Sequence, residues 1–124
     1  MFLSVAAGGA LGAGARYLVA AQMLRLMGPN FPWGTLTVNI AGSFIMGVLV
    51  ELMALRLSVT PEVRVFLVTG VLGGFTTFSA FSLDVVNLLE RKTSALALLY
   101  TFGSVGGAVL GLFAGLWLMR AALS

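Results

Sequence analysis

Residues 70–81, GVLGGFTTFSAF, carry most of the groups that could bind an ion in this apolar chain. The stretch combines three glycines with the hydroxyls of Thr76, Thr77 and Ser79. Such a composition indicates either a broken helix or a glycine-rich packing surface with a kink. Inside lipid, backbone groups freed by a break must be satisfied by protein or face an aqueous cavity. In a broken helix, these carbonyls, amides and hydroxyls could coordinate an ion.

A second set of polar side chains follows helical spacing. Thr35, Asn39 and Ser43 lie at i, i+4 and i+8, which places them on one face of a helix. Tyr100 and Ser104 repeat the i, i+4 spacing further along the chain. Side chains on such a face either hydrogen-bond to a neighbouring helix or line a wet passage. The spacing is compatible with either a packing role or a pathway role.

Arg16 lies well inside an apolar segment, after the run GGALGAGA. A cation near the bilayer centre costs at least about 2.5–3.5 kcal/mol, so its position needs a compensating contact. Arg16 could snorkel, bind backbone carbonyls, hold a cavity open or attract an anion. Glu51 and Asp84 lie closer to the ends of their segments. We assign neither carboxylate a catalytic role.

Phenylalanines recur every three residues through the same glycine-rich stretch, at Phe75, Phe78 and Phe81. Aromatic rings inside membrane proteins usually only pack against their neighbours. Their edges are electropositive, however, so rings beside a polar track can contact a small anion without offering it a formal charge.

The composition is that of an integral membrane protein. Of 124 residues, 60% are hydrophobic and only 9% are charged. The absence of cysteine and histidine excludes disulfides, thiol chemistry and imidazole ligands. The net charge of +3 is modest, and the basic residues form no cluster suited to nucleic acid.

Four apolar segments divide the chain, each at or above the roughly 20 residues that cross a bilayer. We predict helices at about 3–25, 34–56, 63–90 and 94–119 in a single domain. The sequence Thr60-Pro61-Glu62 is typical of a helix start. The short connections make neighbouring helices antiparallel and leave no room for an extramembrane catalytic domain, so we do not expect an enzyme. The third segment is longer than a straight crossing requires, which a central break or a tilt could absorb.

Glycines at four-residue spacing predict close helix contacts in two segments. They are Gly8 and Gly12, and then Gly103, Gly107, Gly111 and Gly115. Such ladders mostly serve packing. The extent of the second ladder also favours oligomerisation, because four helices of this size enclose little interior.

Three motifs together resemble the CrcB/Fluc family of fluoride channels, and the resemblance covers essentially the whole chain. They are GGALGAGARY at 8–17, WGTLTVNIAGSF at 33–44 and GVLGGFTTFSAF at 70–81. The resemblance implies an all-α membrane protein of four transmembrane helices whose third helix is broken at mid-membrane. It also implies an antiparallel, dual-topology homodimer in the cytoplasmic membrane, which exports fluoride passively.

The resemblance further assigns roles to particular residues. It implies a fluoride pathway formed by Asn39, Phe78, Phe81, Ser79, Tyr100 and Ser104. Arg16 and Thr35 would shape an aqueous vestibule, and backbone carbonyls of Gly73 and Thr76 from both subunits would hold a structural sodium ion. Two positions depart from the family's commonest pattern: Ala80 stands where threonine is usual, and Asp84 stands where glutamate is usual.

The basic residues at the segment ends are evenly divided between the two sides of the membrane. Arg56, Arg64 and Arg120 flank one side, whereas Arg25, Arg91 and Lys92 flank the other. Since the Lys/Arg difference between short loops largely sets orientation, an even division favours insertion in both orientations.

The sequence is compatible with two other classes of function. A proton-coupled small multidrug exporter also uses four short helices, but it requires an embedded carboxylate, and the first segment has no acid. A non-transporting subunit of a membrane assembly is compatible with the glycine ladders alone. Flux measurements in proteoliposomes separate these classes from a fluoride channel.

Overall fold

The structure is a computed structural model that describes residues 1–56 and 58–123, and every element within them is helical. The α-helices are α1 (Phe2–Met27), α2 (Trp33–Leu55), α3 (Pro61–Arg64), α4 (Gly73–Phe75), α5 (Phe78–Glu90) and α6 (Ser94–Leu123). A π-helical segment, Val65–Leu72, connects α3 to α4.

Four stretches of these helices are long and apolar enough to cross a membrane. They are Phe2–Met27, Trp33–Leu55, Pro61–Glu90 and Ser94–Leu123. Large apolar side chains are widely exposed along them, including Phe2, Phe102 and Trp117. Such exposure suits lipid or a partner subunit rather than water. The chain is therefore an all-helical, multi-pass membrane protein.

The helix ends follow from local chemistry. As predicted, Thr60 caps α3, because its hydroxyl accepts a hydrogen bond from the Val63 amide at 3.2 Å and Pro61 occupies the first turn. Gly28 closes α1 at φ 84°, in the left-handed region that favours glycine. At the end of α5, the Thr93 hydroxyl donates to the Leu88 carbonyl at 2.7 Å. These caps set the short connections between the spans.

Glycines bring α2 and α6 into close contact within one chain. A Cβ at Gly47 would collide with the Leu112 carbonyl, and one at Gly115 would lie 2.8 Å from the Val48 amide nitrogen. Gly107 and Gly111 likewise face Ile40, whereas a Cβ at Gly103 would meet nothing within 4 Å. Three of the four ladder glycines thus pack inside the chain, and only Gly103 is open. This contact accounts for most of the ladder without a second subunit.

Gly8 and Gly12, two of the glycines of α1, bring this helix close to the third span in the same way. A Cβ at Gly8 would lie 2.9 Å from the Val71 amide nitrogen, and one at Gly12 would lie 2.8 Å from that of Phe75. The backbone of α1 therefore lies directly against the π-helical segment and α4. This close approach positions Arg16, one turn further along α1, beside the end of α4.

Candidate functional site

Two residues with extended backbone separate α4 from α5. Thr76 has φ −89° and ψ 157°, and Thr77 has φ −153° and ψ 123°. The helical hydrogen-bond ladder cannot pass through such residues, so the backbone groups around them need other partners. The structure supplies those partners from side chains on α1, α2 and the interruption itself.

Asn39 on α2 pairs with the backbone of Thr77. The Thr77 amide donates to Asn39 Oδ1 at 2.8 Å, and Asn39 Nδ2 donates to the Thr77 carbonyl at 3.1 Å. The side-chain amide therefore replaces a backbone peptide group in both directions. The polar face of α2 predicts either hydrogen bonds to a neighbouring helix or a wet passage. For Asn39 the structure shows hydrogen bonds to the third span. One Nδ2 hydrogen remains for a further acceptor.

The hydroxyls of Thr76 and Thr77 form hydrogen bonds with backbone groups at the helix ends on either side of the interruption. Thr76 Oγ1 donates to the Leu72 carbonyl at 3.0 Å. Thr77 Oγ1 accepts from the Ala80 amide at 3.2 Å and so caps α5, and it lies 3.3 Å from the Ser79 hydroxyl. These local bonds make the interruption a defined structure rather than a loose kink.

Arg16 binds the end of α4. Its Nε donates to the Gly74 carbonyl at 3.1 Å, and the residue is half-buried. A cation at the carboxyl end of a helix is favourable because carbonyl groups there lack helical donors. Of the roles considered for Arg16, the structure supports binding to a backbone carbonyl.

The aromatic residues form a row that runs away from the interruption. The ring centroids of Phe78 and Phe81 are 5.5 Å apart, and those of Phe81 and Tyr100 are 5.3 Å apart. Phe31 meets Tyr100 edge-on at 5.5 Å. Phe81 and Tyr100 are buried, whereas Phe78 is 77% exposed. The row therefore begins at the surface of the subunit and continues into its core.

A cavity of about 230 Å³ lies beside the interruption. Its lining comprises Asn39, Ser43, Thr76, Thr77, Phe78, Phe81, Ser104, Val105 and Ala108. Ser104 is 4% exposed, and its hydroxyl makes no hydrogen bond of ordinary distance and angle with the described residues. The cavity thus combines hydroxyl and amide donors with aromatic rings, a set that can contact a small anion.

A larger cavity, of about 710 Å³, lies around the start of α2 and the end of α5. Thr35 and Asp84 line it, and the Tyr100 hydroxyl donates to Asp84 Oδ2 at 3.0 Å. Arg16 is not part of this lining. The two residues expected to form a vestibule are therefore separate: Thr35 lies in the large cavity and Arg16 lies at Gly74.

The interruption also offers backbone oxygens to a cation. In a continuous helix the Thr77 amide would donate to the Gly73 carbonyl, but it donates to Asn39 instead. Gly73 is exposed on the surface of the subunit. Within the described residues no group of three or more acidic or histidine side chains could hold a metal ion. A cation here would depend on neutral oxygen ligands, which suit hard ions.

A sequence profile described as "CrcB-like protein, Camphor Resistance (CrcB)" matches residues 3–116. The chain belongs to the CrcB family. Curated relatives are similar to this chain over nearly their whole length. One from Chelativorans sp. (strain BNC1) is 56% identical over 119 residues, covering 96% of this chain and 95% of the relative. One from Agrobacterium fabrum is 59% identical over 116 residues, covering 94% and 93%. One from Rhizobium meliloti is 57% identical over 119 residues, covering 96% and 95%. Each of the three relatives is named "Fluoride-specific ion channel FluC".

In this CrcB-family chain, the six residues expected to form a fluoride pathway lie in three positions relative to the smaller cavity. Asn39, Phe78, Phe81 and Ser104 line the smaller cavity, Tyr100 contacts Phe81, and Ser79 lies beside Thr77. Asp84 is not among the site residues predicted from the sequence, yet it accepts a hydrogen bond from the Tyr100 hydroxyl and lines the larger cavity. Its position three residues after Phe81 on α5, and so on the same face, was the available signal.

Proposed function

We propose that this chain forms a passive, fluoride-selective channel that lets fluoride leave the cytoplasm. The observation that carries the proposal is the near full-length identity of 56–59% to three relatives named as fluoride-specific ion channels. Hydrogen fluoride is a weak acid that diffuses into cells and dissociates there. A passive anion pathway driven by membrane potential is therefore sufficient for export. The protein acts as a transport protein of the cytoplasmic membrane, not as an enzyme.

The smaller cavity supplies the chemistry that fluoride needs along this path. A buried anion is costly unless hydrogen-bond donors replace its water. Asn39 retains one unused Nδ2 hydrogen, and the Ser104 hydroxyl has no other acceptor of ordinary geometry among the described residues. The rings of Phe78 and Phe81 add electropositive edges. Ser79 and Tyr100 continue the pathway, and Thr35 and Arg16 shape its approach.

The channel is proposed to be an antiparallel homodimer with its third helix broken at mid-membrane. Phe78 is largely exposed although it lines the cavity, so a second subunit would complete the wall there. The even division of basic residues between the two sides supports insertion in both orientations. Antiparallel pairing would bring the two interruptions together near the two-fold axis.

A structural sodium ion is proposed at that axis, held by the Gly73 and Thr76 carbonyls of both subunits. Two observations support this assignment. Gly73 is exposed, and the Thr77 amide donates to Asn39 and not to the Gly73 carbonyl. Sodium would supply a fixed positive charge between the subunits. A crystallographic ion-replacement experiment that finds only water at the axis would contradict it.

Flux from proteoliposomes tests the function. Vesicles loaded with potassium fluoride and treated with a potassium ionophore should release fluoride, whereas chloride-loaded vesicles should not release chloride. Protein-free vesicles are the control. Proton-coupled uptake of an organic cation, without fluoride release, would instead support a multidrug exporter. Absence of all these fluxes would contradict the channel and favour an assembly subunit.

A further inference from the structure

A third cavity lies at the opposite end of α2 from the large cavity that contains Thr35. Its volume is about 430 Å³. It lies beside the end of α2 and the start of α3 and is lined by Met53, Ala54, Leu55, Arg56, Ser58, Val59 and Arg64. Two guanidinium groups and one hydroxyl therefore line it together, and none of these lining residues is acidic. The fluoride pathway proposed above uses none of them.

Among the described residues, no carboxylate forms an ion pair with either arginine of this cavity. Glu51 pairs with Arg120, with 3.0 Å between Oε2 and Nη2 and 3.4 Å between Oε1 and Nε. Glu62 accepts from the Ser4 hydroxyl at 2.8 Å. Within residues 1–56 and 58–123, the Arg120–Glu51 contact is the only ion pair. Arg56 and Arg64 therefore have no acidic partner in the part of the chain that the structure describes.

One of the two guanidinium groups is held in place by a neutral group. Arg56 Nη2 donates to the Leu123 carbonyl at 2.8 Å, near the end of α6. This bond orients the guanidinium without cancelling its charge, and it leaves the Nε and Nη1 donors for another acceptor. A guanidinium oriented in this way suits bidentate binding of a phosphate or carboxylate group.

The cavity lies where membrane spans end. Arg56 follows α2 directly, and Arg64 lies in the first turn of the span Pro61–Glu90. Basic pockets at such boundaries bind the headgroups of anionic lipids. Met53, Leu55 and Val59 add apolar surface that the glycerol and upper acyl chain of a lipid could contact. We propose that this cavity binds a phosphate-bearing anion, supplied by the headgroup of an anionic phospholipid.

Native mass spectrometry of the purified protein tests the proposal. The protein is titrated with phosphatidylglycerol and, separately, with zwitterionic phosphatidylcholine. We expect phosphatidylglycerol to bind more tightly. We expect Arg56→Gln and Arg64→Gln each to weaken its binding about fivefold, and the double variant about 30-fold. Arg25→Gln is the matched control, because Arg25 is an exposed arginine at the end of α1 and lies outside the cavity.

Equal affinity of the wild type and the double variant for phosphatidylglycerol would overturn the proposal. The proposal would also fail if the wild type bound phosphatidylglycerol and phosphatidylcholine equally well and did not bind inorganic phosphate. Inorganic phosphate distinguishes the two sources of the anion. The alternative outcome is that inorganic phosphate raises the unfolding midpoint of the wild type but not of the double variant, while the wild type shows no preference for phosphatidylglycerol. That result would assign the cavity to free phosphate and overturn the lipid source. If the glutamine variants elute as aggregates, Arg56→Lys and Arg64→Lys keep the charge while removing the guanidinium fork. These should bind phosphatidylglycerol with intermediate affinity.

Discussion

At the scale of single residues, the pairing of Asn39 with Thr77 is the contact most closely tied to the interruption of the third span. Both the amide and the carbonyl of Thr77 depend on one side chain from α2. The same side chain keeps a hydrogen free toward the smaller cavity. Asn39 therefore combines a structural role with its proposed role in the fluoride pathway.

Asn39→Ala should lower both fluoride flux and stability. It leaves two half-buried backbone groups of Thr77 without their present partner, which costs up to about 1–3 kcal/mol for each group. Fluoride efflux from proteoliposomes and the thermal unfolding midpoint in detergent measure the two effects. Gln22→Ala is the control, because Gln22 carries an exposed side-chain amide on α1 and does not line this cavity. Wild-type flux in Asn39→Ala would rule out its place in the pathway.

Phe78 and Phe81 should separate transport from stability. Replacing either residue by isoleucine removes electropositive ring edges and keeps apolar bulk, so fluoride flux should fall in both variants. Only Phe81→Ile should also lower the unfolding midpoint, because Phe81 is buried against Tyr100 whereas Phe78 is exposed. Phe102→Ile, at an exposed phenylalanine outside the cavity, is the control. Undiminished flux in both test variants would contradict the aromatic part of the pathway.

At the scale of helices, the glycine contacts decide which helices are neighbours. Gly47 and Gly115 bring α2 and α6 together, and Gly8 and Gly12 bring α1 against the third span. Without a hydrophobic driving force between helices in lipid, such close backbone contact supplies the van der Waals attraction. The π-helical segment Val65–Leu72 lies in this contact region, and only α4 separates it from the interruption. π-Helical turns are often found near functional sites.

Gly47→Ala should destabilise the fold, and Gly103→Ala should not. The Cβ at position 47 would collide with the Leu112 carbonyl, which is backbone and cannot rotate away. Overpacking of this kind costs about 1–3 kcal/mol. At position 103 the Cβ meets nothing within 4 Å in the chain, and alanine favours a helix over glycine by up to about 1 kcal/mol. Equal unfolding midpoints for the two variants would show that the α2–α6 contact is looser than described.

At the scale of the whole molecule, orientation in the membrane follows from charges that the fold distributes evenly. Arg56, Arg64 and Arg120 lie at one end of the spans, and Arg25, Arg91 and Lys92 lie at the other. The inserted chain therefore has little electrostatic basis for choosing a side. The proposed antiparallel dimer would require insertion in both orientations.

Ser124→Cys tests the mixed orientation, because the native chain has no cysteine. Ser124 lies outside the described residues and directly follows Leu123 at the end of α6. A membrane-impermeant thiol reagent should label the variant in intact cells and also in inverted vesicles. Labelling from one side only, with cysteine controls placed in loops of known topology, would overturn dual topology.

The sequence by itself determined the features that depend on local composition. Apolar runs long enough to cross a bilayer predicted four spans, which the structure also has. The Thr60-Pro61 start of the third span was likewise predicted, because caps involve neighbouring residues. The motif at 70–81, together with two other motifs, identified the family to which the chain belongs.

The tertiary structure decided the partners that lie far apart in the chain. Four roles are compatible with the position of Arg16 in the sequence, and the structure shows the contact for one of them, a hydrogen bond from its Nε to the Gly74 carbonyl, 58 residues away. The spacing of Asn39 does not reveal its partner, which in the structure is the backbone of Thr77. The glycine ladder of α6 could have served a second subunit, but it packs mostly against α2. Spacing along one helix shows which residues share a face. What that face contacts depends on how closely separate backbones approach, and only the packed chain determines that distance.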